Sequence, residues 1–353
     1  MNATTYAIDI AKSVFQLHWV EPGTGEIHRK KLQRAKLMDF FARLKPSRIV
    51  MEACGSAHHW GRELGKLGHQ VELLPPHKVK ESASGNKDDS RDARAIWVTA
   101  TLKDVRRVPI KTVDQQAQLF VHRVRSHWVS LRTATVNQLR SMLYEYGVVA
   151  PKGRKKVVEW VGQHRAQIEQ QVPAMVVQLM DQQLQALRDF DERIAANERT
   201  VQQAQRTDPT VRALLKVPGI GPLGASALKA ELGDGSAWKN SREFACCRGL
   251  VPGHTGTGGK VRMGGISKRG DPYLRTLLIH GARNLVRTSN PAPWIAEMLL
   301  RRPFNVVAVA VAHKLARIAW SIVVRGEHFD PDRAFGPRQV RHETANTVNQ
   351  EAP

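Results

Sequence analysis

The chain opens on short apolar runs with strand character rather than helical spacing. TTYAIDIAKSVFQLHWV reads as two strands separated by a kink. An EPGTGE turn, a third strand and a helix around LMDFFARL follow. RIVMEACG then gives a strand, WGRELGKLG a helix, QVELLP a strand, and NKDDSRDARAIWVTA the start of another helix. From about residue 112 to 207 the pattern turns helical, with Val176, Met180, Leu184, Leu187 and Ile194 recurring at three- and four-residue steps. Gly and Pro are scarce there except in the basic break VVAPKGRKKV. Long paired helices or a coiled coil are expected, an ordinary bundle being the plainer alternative.

Asp208 followed by Pro209 is a helix start, and the helix TVRALLK runs into VPGIGPLGASALKAEL. Helix, Pro-Gly-Ile-Gly turn, helix is a helix-hairpin-helix pattern. Its Gly219 and Gly221 bring backbone amides within reach of a phosphate, unless the turn serves packing alone. The later segment LVPGHTGTGGKVRMGGISKRGDPYLRTLL is crowded with glycine, hydroxyls and cations. It reads as a flexible loop ahead of a helix capped by Asp271 with Pro272 at its first position. A Walker phosphate loop is excluded, because no glycine stands at the required distance before Gly259-Lys260 and Val261 replaces Ser or Thr. FNVVAVAVAHKLARIAWSIVV is interrupted by His313, Lys314 and Arg317, so a buried helix is expected and no membrane span. Residues from about 335 are polar and irregular and are expected to be disordered.

The order strand, strand, strand, helix, strand, helix, strand, helix is ribonuclease-H-like. It carries Asp9 on the first strand, Glu52 at the end of a later one, and Asp89 and Asp92 three apart on a helix. Such a cluster of carboxylate oxygens suits Mg²⁺, which takes hard ligands and keeps its waters. Each acid alone has a plain explanation as a turn or cap residue. Together they shift the reading, because Asp9 is flanked by apolar residues on a strand that should be buried, where a carboxylate needs a partner.

The 353 residues include 54 Lys and Arg against 32 Asp and Glu, a formal charge of +22, which calls for a polyanionic partner. Three cysteines, Cys54, Cys246 and Cys247, give no disulfide framework or zinc spacing and point to a reducing, cytoplasmic setting. No export signal is visible at the start.

AIDIAKSVF, MEACGS, NKDDSRDA, VPGIGPLGA and GLVPGHTGTGGKVRMGGISKRGDPYLRTLL, in that order, resemble the DEDD-type insertion-sequence transposases, which include Piv-like invertases and bridge-RNA-guided recombinases. The resemblance covers nearly the whole chain. It implies a RuvC-like metal-binding domain over 1–107, a helical or coiled-coil linker over 108–207, a mostly α transposase domain over 208–334 and a tail over 335–353. It also implies that Asp9, Glu52, Asp89 and Asp92 hold the metal, and that a hydroxyl of the C-terminal domain attacks a DNA phosphate and holds the strand covalently. The family's residue there is Ser before Gly. Here the register falls on Thr257, which leaves a functional Thr257, a shifted register using Thr255, or an impaired enzyme; Ser267 is too close to the next helix. Lys260, Arg262, Lys268, Arg269 and Arg275 are the expected nucleic-acid contacts, beside Gly219 and Gly221. The implied partners are double-stranded DNA (element ends and target), a structured noncoding guide RNA and further copies of the chain, as dimer or tetramer, at the bacterial nucleoid. Rival readings are a metal-dependent junction-resolving nuclease that uses water, and a non-catalytic DNA- or RNA-binding protein.

Overall fold

A computed structural model describes residues 4–83, 89–257 and 260–336, so the expected disordered tail lies, from 337 onward, outside the described residues. Contacts divide the chain into two compact units, residues 1–117 and 118–353.

The first unit is built on β1 (Thr5–Ile10), β2 (Val14–Val20), β3 (Ile27–Gln33), β4 (Arg48–Glu52) and β5 (Gln70–Leu74), in sheet order β3-β2-β1-β4-β5. β1, β2 and β3 pair antiparallel while β1, β4 and β5 run parallel, as the ribonuclease-H-like order predicts. Side chains alternate across the sheet. Tyr6, Ile8, Phe15, Leu17, Ile49, Met51 and Leu73 share a core with α1 (Leu37–Ala42) and α2 (Ala57–Lys66). Ala7, Val50 and Leu74 face the other way, against α3 (Pro76–Ser82) and α4 (Asp89–Thr101). α3 is an addition to the expected order, with Pro76 in its first turn, where no N–H is needed.

A half-buried charge cluster fixes the C-terminal end of α4. Arg48 and Arg107 both donate to the Glu72 carboxylate and to the carbonyl of Ala100. Burial pushes the Glu72 carboxyl up, but the hydrogen bonds and charges of the two guanidinium groups outweigh it and leave the group below its ordinary value.

The second unit is helical apart from one β-ribbon. α5 (Val113–Tyr144) and α8 (Ala174–Thr207) are long, with α6 (Arg154–Gln163) and α7 (Arg165–Gln171) between them in sequence. Arg125 pairs with Glu198 and Arg132 with Asp191, seven residues on in one helix and seven back in the other, so α5 and α8 lie antiparallel. α9 (Pro209–Leu215), α10 (Pro222–Leu232) and α11 (Ser241–Cys247) precede the ribbon of β6 (Pro252–Thr257) and β7 (Lys260–Ile266). α12 (Pro272–Arg287), α13 (Pro293–Leu299), α14 (Phe304–Arg325) and α15 (Pro331–Phe335) complete it. The Asp208 and Asp271 caps form as their sequences suggest, each accepting from amides of the first turn. α14 is long and apolar enough to cross a membrane. Its Val307, Val311, Leu315, Ala319 and Ile322 are instead buried in the core of this unit. The segment expected to be a flexible loop is a correction: its Thr/Gly alternation, poor in apolar residues, forms an antiparallel ribbon whose register shifts between Pro252 and His254.

A buried polar link ties three helices of this unit together. His122 of α5, 1% exposed, lies 3.1 Å from Ser226 Oγ on α10 and 3.1 Å from Tyr273 Oη on α12. Burial first, and the charge of Arg125 second, lower its pKa to about 4. The folded ring therefore stays neutral, whereas the unfolded chain takes a proton near 6.5, and stability present above 6.5 is lost as pH falls toward 4. The loss should approach about 3 kcal/mol. Urea unfolding at several pH values across that window should show falling stability in the native protein and a shallower slope in His122→Gln. Equal slopes would contradict this role.

Candidate functional site

Two groups of chemistry-bearing residues stand out, one in each unit. In the first, β1 and β4 are parallel with Ile8 opposite Met51, so the next residues, Asp9 and Glu52, come at the carboxyl ends of adjacent strands. Carboxyl ends of parallel strands are where α/β sheets place ligands. By alternation both acids belong to the face of Ala7 and Val50, the face covered by α4. Asp92 lies on α4 one turn before Ala95 and Ile96, which pack on that face. Asp89 begins the same helix, three residues earlier; its side chain lies outside the described ones.

The electrostatics show that these acids share one environment. Burial, and then the charge of Asp92, raise the Glu52 carboxyl above its ordinary value. The Cys54 thiol is pushed up to about 11 by burial and then by Glu52 and Asp9. Cys54 was not singled out from sequence, since a lone cysteine two residues past a strand carries no pattern. Burial, with those two anionic neighbours, favours its protonated form. The donors that remain are carboxylate oxygens, and they fit Mg²⁺. Among the described residues no three His, Cys, Asp or Glu side chains already form a group able to enclose an ion. Gln16, directly across from Asp9 on β2, is a further polar neighbour that the sequence did not announce.

In the second unit the pairing of β6 with β7 sets Thr255 opposite Arg262 and Thr257 opposite Lys260, with Gly256 opposite Val261 between them. Directly paired residues share a face, and so do residues two apart, so both threonines and both cations stand on one face of the ribbon. All four side chains are exposed. Lys268 and Arg269 are exposed at its foot, Lys268 with a φ of +54°.

The α9–α10 turn divides the roles of its glycines. Gly219, at φ +84°, lies against Gly281 of α12, and a Cβ there would meet Leu285, the Gly281 carbonyl and Leu315; packing alone accounts for this glycine. Gly221 has open space around it and precedes α10, whose N-terminus lines a groove of about 640 Å³ with Gln202, His280 and Asn284.

An acidic sheet edge and a cationic hydroxyl ribbon suit an enzyme working on nucleic-acid phosphates. Comparison with known proteins gives the class directly. A family model described as Transposase IS116/IS110/IS902 family matches residues 211–297, and the DEDD transposase model of the IS110 group matches residues 6–148. A relative from Pseudomonas aeruginosa, named as a probable family 20 transposase, is 44% identical over 94% of this chain and 100% of its own length. The transposase of insertion sequence element IS1328 from Yersinia enterocolitica is 37% identical over 93% of this chain and 99% of its own. That of IS1111A from Coxiella burnetii is 34% identical over 91% and 90%. The chain belongs to the IS116/IS110/IS902 family of insertion-sequence transposases and is a DNA transposase.

Each exposed cation of the ribbon that meets a phosphate releases about one counterion. Lys260→Gln and Arg262→Gln should therefore each flatten the dependence of log affinity for duplex DNA on log salt by about 0.9. Unchanged slopes in both would remove the ribbon from the DNA-binding surface.

Proposed function

We propose that this transposase cuts and rejoins double-stranded DNA at element ends and target through a covalent intermediate on Thr257. The observation that carries the reading is the shared face of Thr255, Thr257, Lys260 and Arg262, which offers a phosphate a hydroxyl and two cations from one side. The Thr257 oxygen attacks the phosphorus, a bridging P–O bond breaks, and the proton lost by Thr257 balances the one taken up by the leaving DNA hydroxyl. A DNA hydroxyl then attacks the phosphothreonine ester, which restores the phosphodiester and releases Thr257 without ATP. Lys260 and Arg262 balance charge on the phosphate oxygens as the attack proceeds. The N-terminal amides of α10 beyond Gly221, with Lys268 and Arg269, hold the DNA backbone without reading sequence.

Asp9, Glu52, Asp89 and Asp92 are the residues that would hold Mg²⁺, which when bound supplies positive charge beside the scissile phosphate. The raised Glu52 carboxyl supports this, since its burial beside Asp92 favours a cation. The family resemblance supports a structured noncoding RNA as the guide that selects the DNA, and assembly into a dimer or tetramer, for which the antiparallel α5–α8 pair is a candidate coiled-coil element. The hydrolytic rival, with water as nucleophile, is separated from this reading by one experiment.

Denaturing gels of protein with labelled DNA in Mg²⁺ should show an adduct that Thr257→Val removes, Thr257→Ser keeps and Thr255→Val barely alters. Asp9→Ala and Glu52→Ala should abolish strand exchange yet still bind DNA. An adduct lost only in Thr255→Val moves the nucleophile to Thr255, and cleavage with no adduct in any variant establishes the hydrolytic route.

A further inference from the structure

We propose that Arg275 is a positioning residue for strand transfer: its guanidinium bridges the two arms at the root of the β6–β7 ribbon and sets the pitch at which the hydroxyl and cation face is presented. The inference rests on the reading that this face meets the reacting phosphate.

Arg275 lies one turn into α12, the helix that begins directly after the ribbon. Its Nη1 donates to the carbonyl of Arg248, ahead of β6, at 3.2 Å and to the carbonyl of Arg269, beyond β7, at 3.0 Å. One nitrogen thus holds both arms. The arms approach so closely that Gly249 and Gly270, at φ +70° and +76°, leave no room for a Cβ against the backbones of Arg269 and Cys247. The amides of Ser267 and Lys268 extend the pairing down to this point, bonding the carbonyls of Val251 and Gly249 at 2.9 and 3.3 Å.

The two arms are not held alike. Arg248, 5% exposed, is locked into the core by a 2.6 Å ion pair with Glu231 of α10 and by the rings of Trp238 and Phe244 at 5.0 and 5.2 Å. Lys268 and Arg269 on the outgoing arm are exposed. Arg275 ties that exposed arm to the locked one. β6 and β7 pack chiefly on each other, so the pitch of the ribbon is decided at its root. From Val251 to Thr257 a strand spans roughly 20 Å, so a tilt of about 5° at the root carries Thr257 by nearly ~2 Å. A displacement of about 1 Å at a reacting atom can cost on the order of 10²-fold in rate.

The test uses the full chain with duplex substrate and Mg²⁺. In Arg275→Gln, DNA affinity should stay within about twofold while single-turnover strand transfer falls about 10–100-fold. Arg275→Lys should recover part of the rate. Added guanidinium ion should restore Arg275→Ala and leave Thr257→Val inactive. Amide hydrogen exchange across 252–266 should quicken in Arg275→Gln at an unchanged melting midpoint. Wild-type rate and exchange in Arg275→Gln would overturn the proposal. So would a loss of affinity and rate in parallel with unaltered exchange, which would make Arg275 a phosphate contact. Should the wild type form no covalent product, the nucleophile reading fails, and the exchange measurement still decides the role of Arg275.

Discussion

The parallel pairing of β1 with β4 is the constraint on which the acidic site depends. With Ile8 opposite Met51, both fully buried on one face, Asp9 and Glu52 come out together on the other. A slip of one residue in either strand would send its carboxylate through the sheet into the apolar core around Phe15 and Trp60. The core therefore enforces the chemistry: the burial of Ile8 and Met51 is what keeps two acids side by side. The ribbon in the second unit obeys the same alternation, with Gly256 between the two threonines turned to the opposite face.

Charge in the first unit is arranged in two contrasting ways. Beside β4 and β5, Arg48 and Arg107 both pair with the one Glu72 carboxylate, which is held below its ordinary value. At the carboxyl end of β4, Glu52 is held above it, by burial and by Asp92. The first arrangement fastens the C-terminal end of α4 to the sheet; the second sets Glu52 beside Asp92 near the other end of the same helix. A structural cluster is expected to satisfy itself as the first does. The second is the arrangement on which the proposed cation site rests.

Much of this was legible in the sequence. The strand order, the acids at Asp9, Glu52 and Asp92 and the caps at Asp208 and Asp271 follow from apolar runs and from local side-chain chemistry, which act over a few residues. The ribbon was not legible, because HTGTGGKVRMGG lacks the apolar alternation by which a half-buried strand announces itself; exposed on the face of Thr255, Thr257, Lys260 and Arg262, it has no reason to carry one. α3 was hidden by a proline pair that starts the helix instead of breaking it. Gly219 could be read as approaching a phosphate or a helix, and only the position of Gly281 on α12, some sixty residues later, shows the packing. The environment of Cys54 likewise depends on burial and on Asp9, distant in sequence, as well as on Glu52 two residues before it. Long-range placement, in each case, is what local pattern does not contain.

The most direct test of the account is to digest the DNA from the Mg²⁺-dependent reaction product with nuclease and map the residual nucleotide on the protein by peptide mass spectrometry. The account predicts a nucleotide on Thr257, formed with Mg²⁺ and absent when the metal is chelated. A nucleotide on another residue, an equal yield in chelator, or incorporation of oxygen from labelled water into the cut end with no protein-linked nucleotide would contradict it.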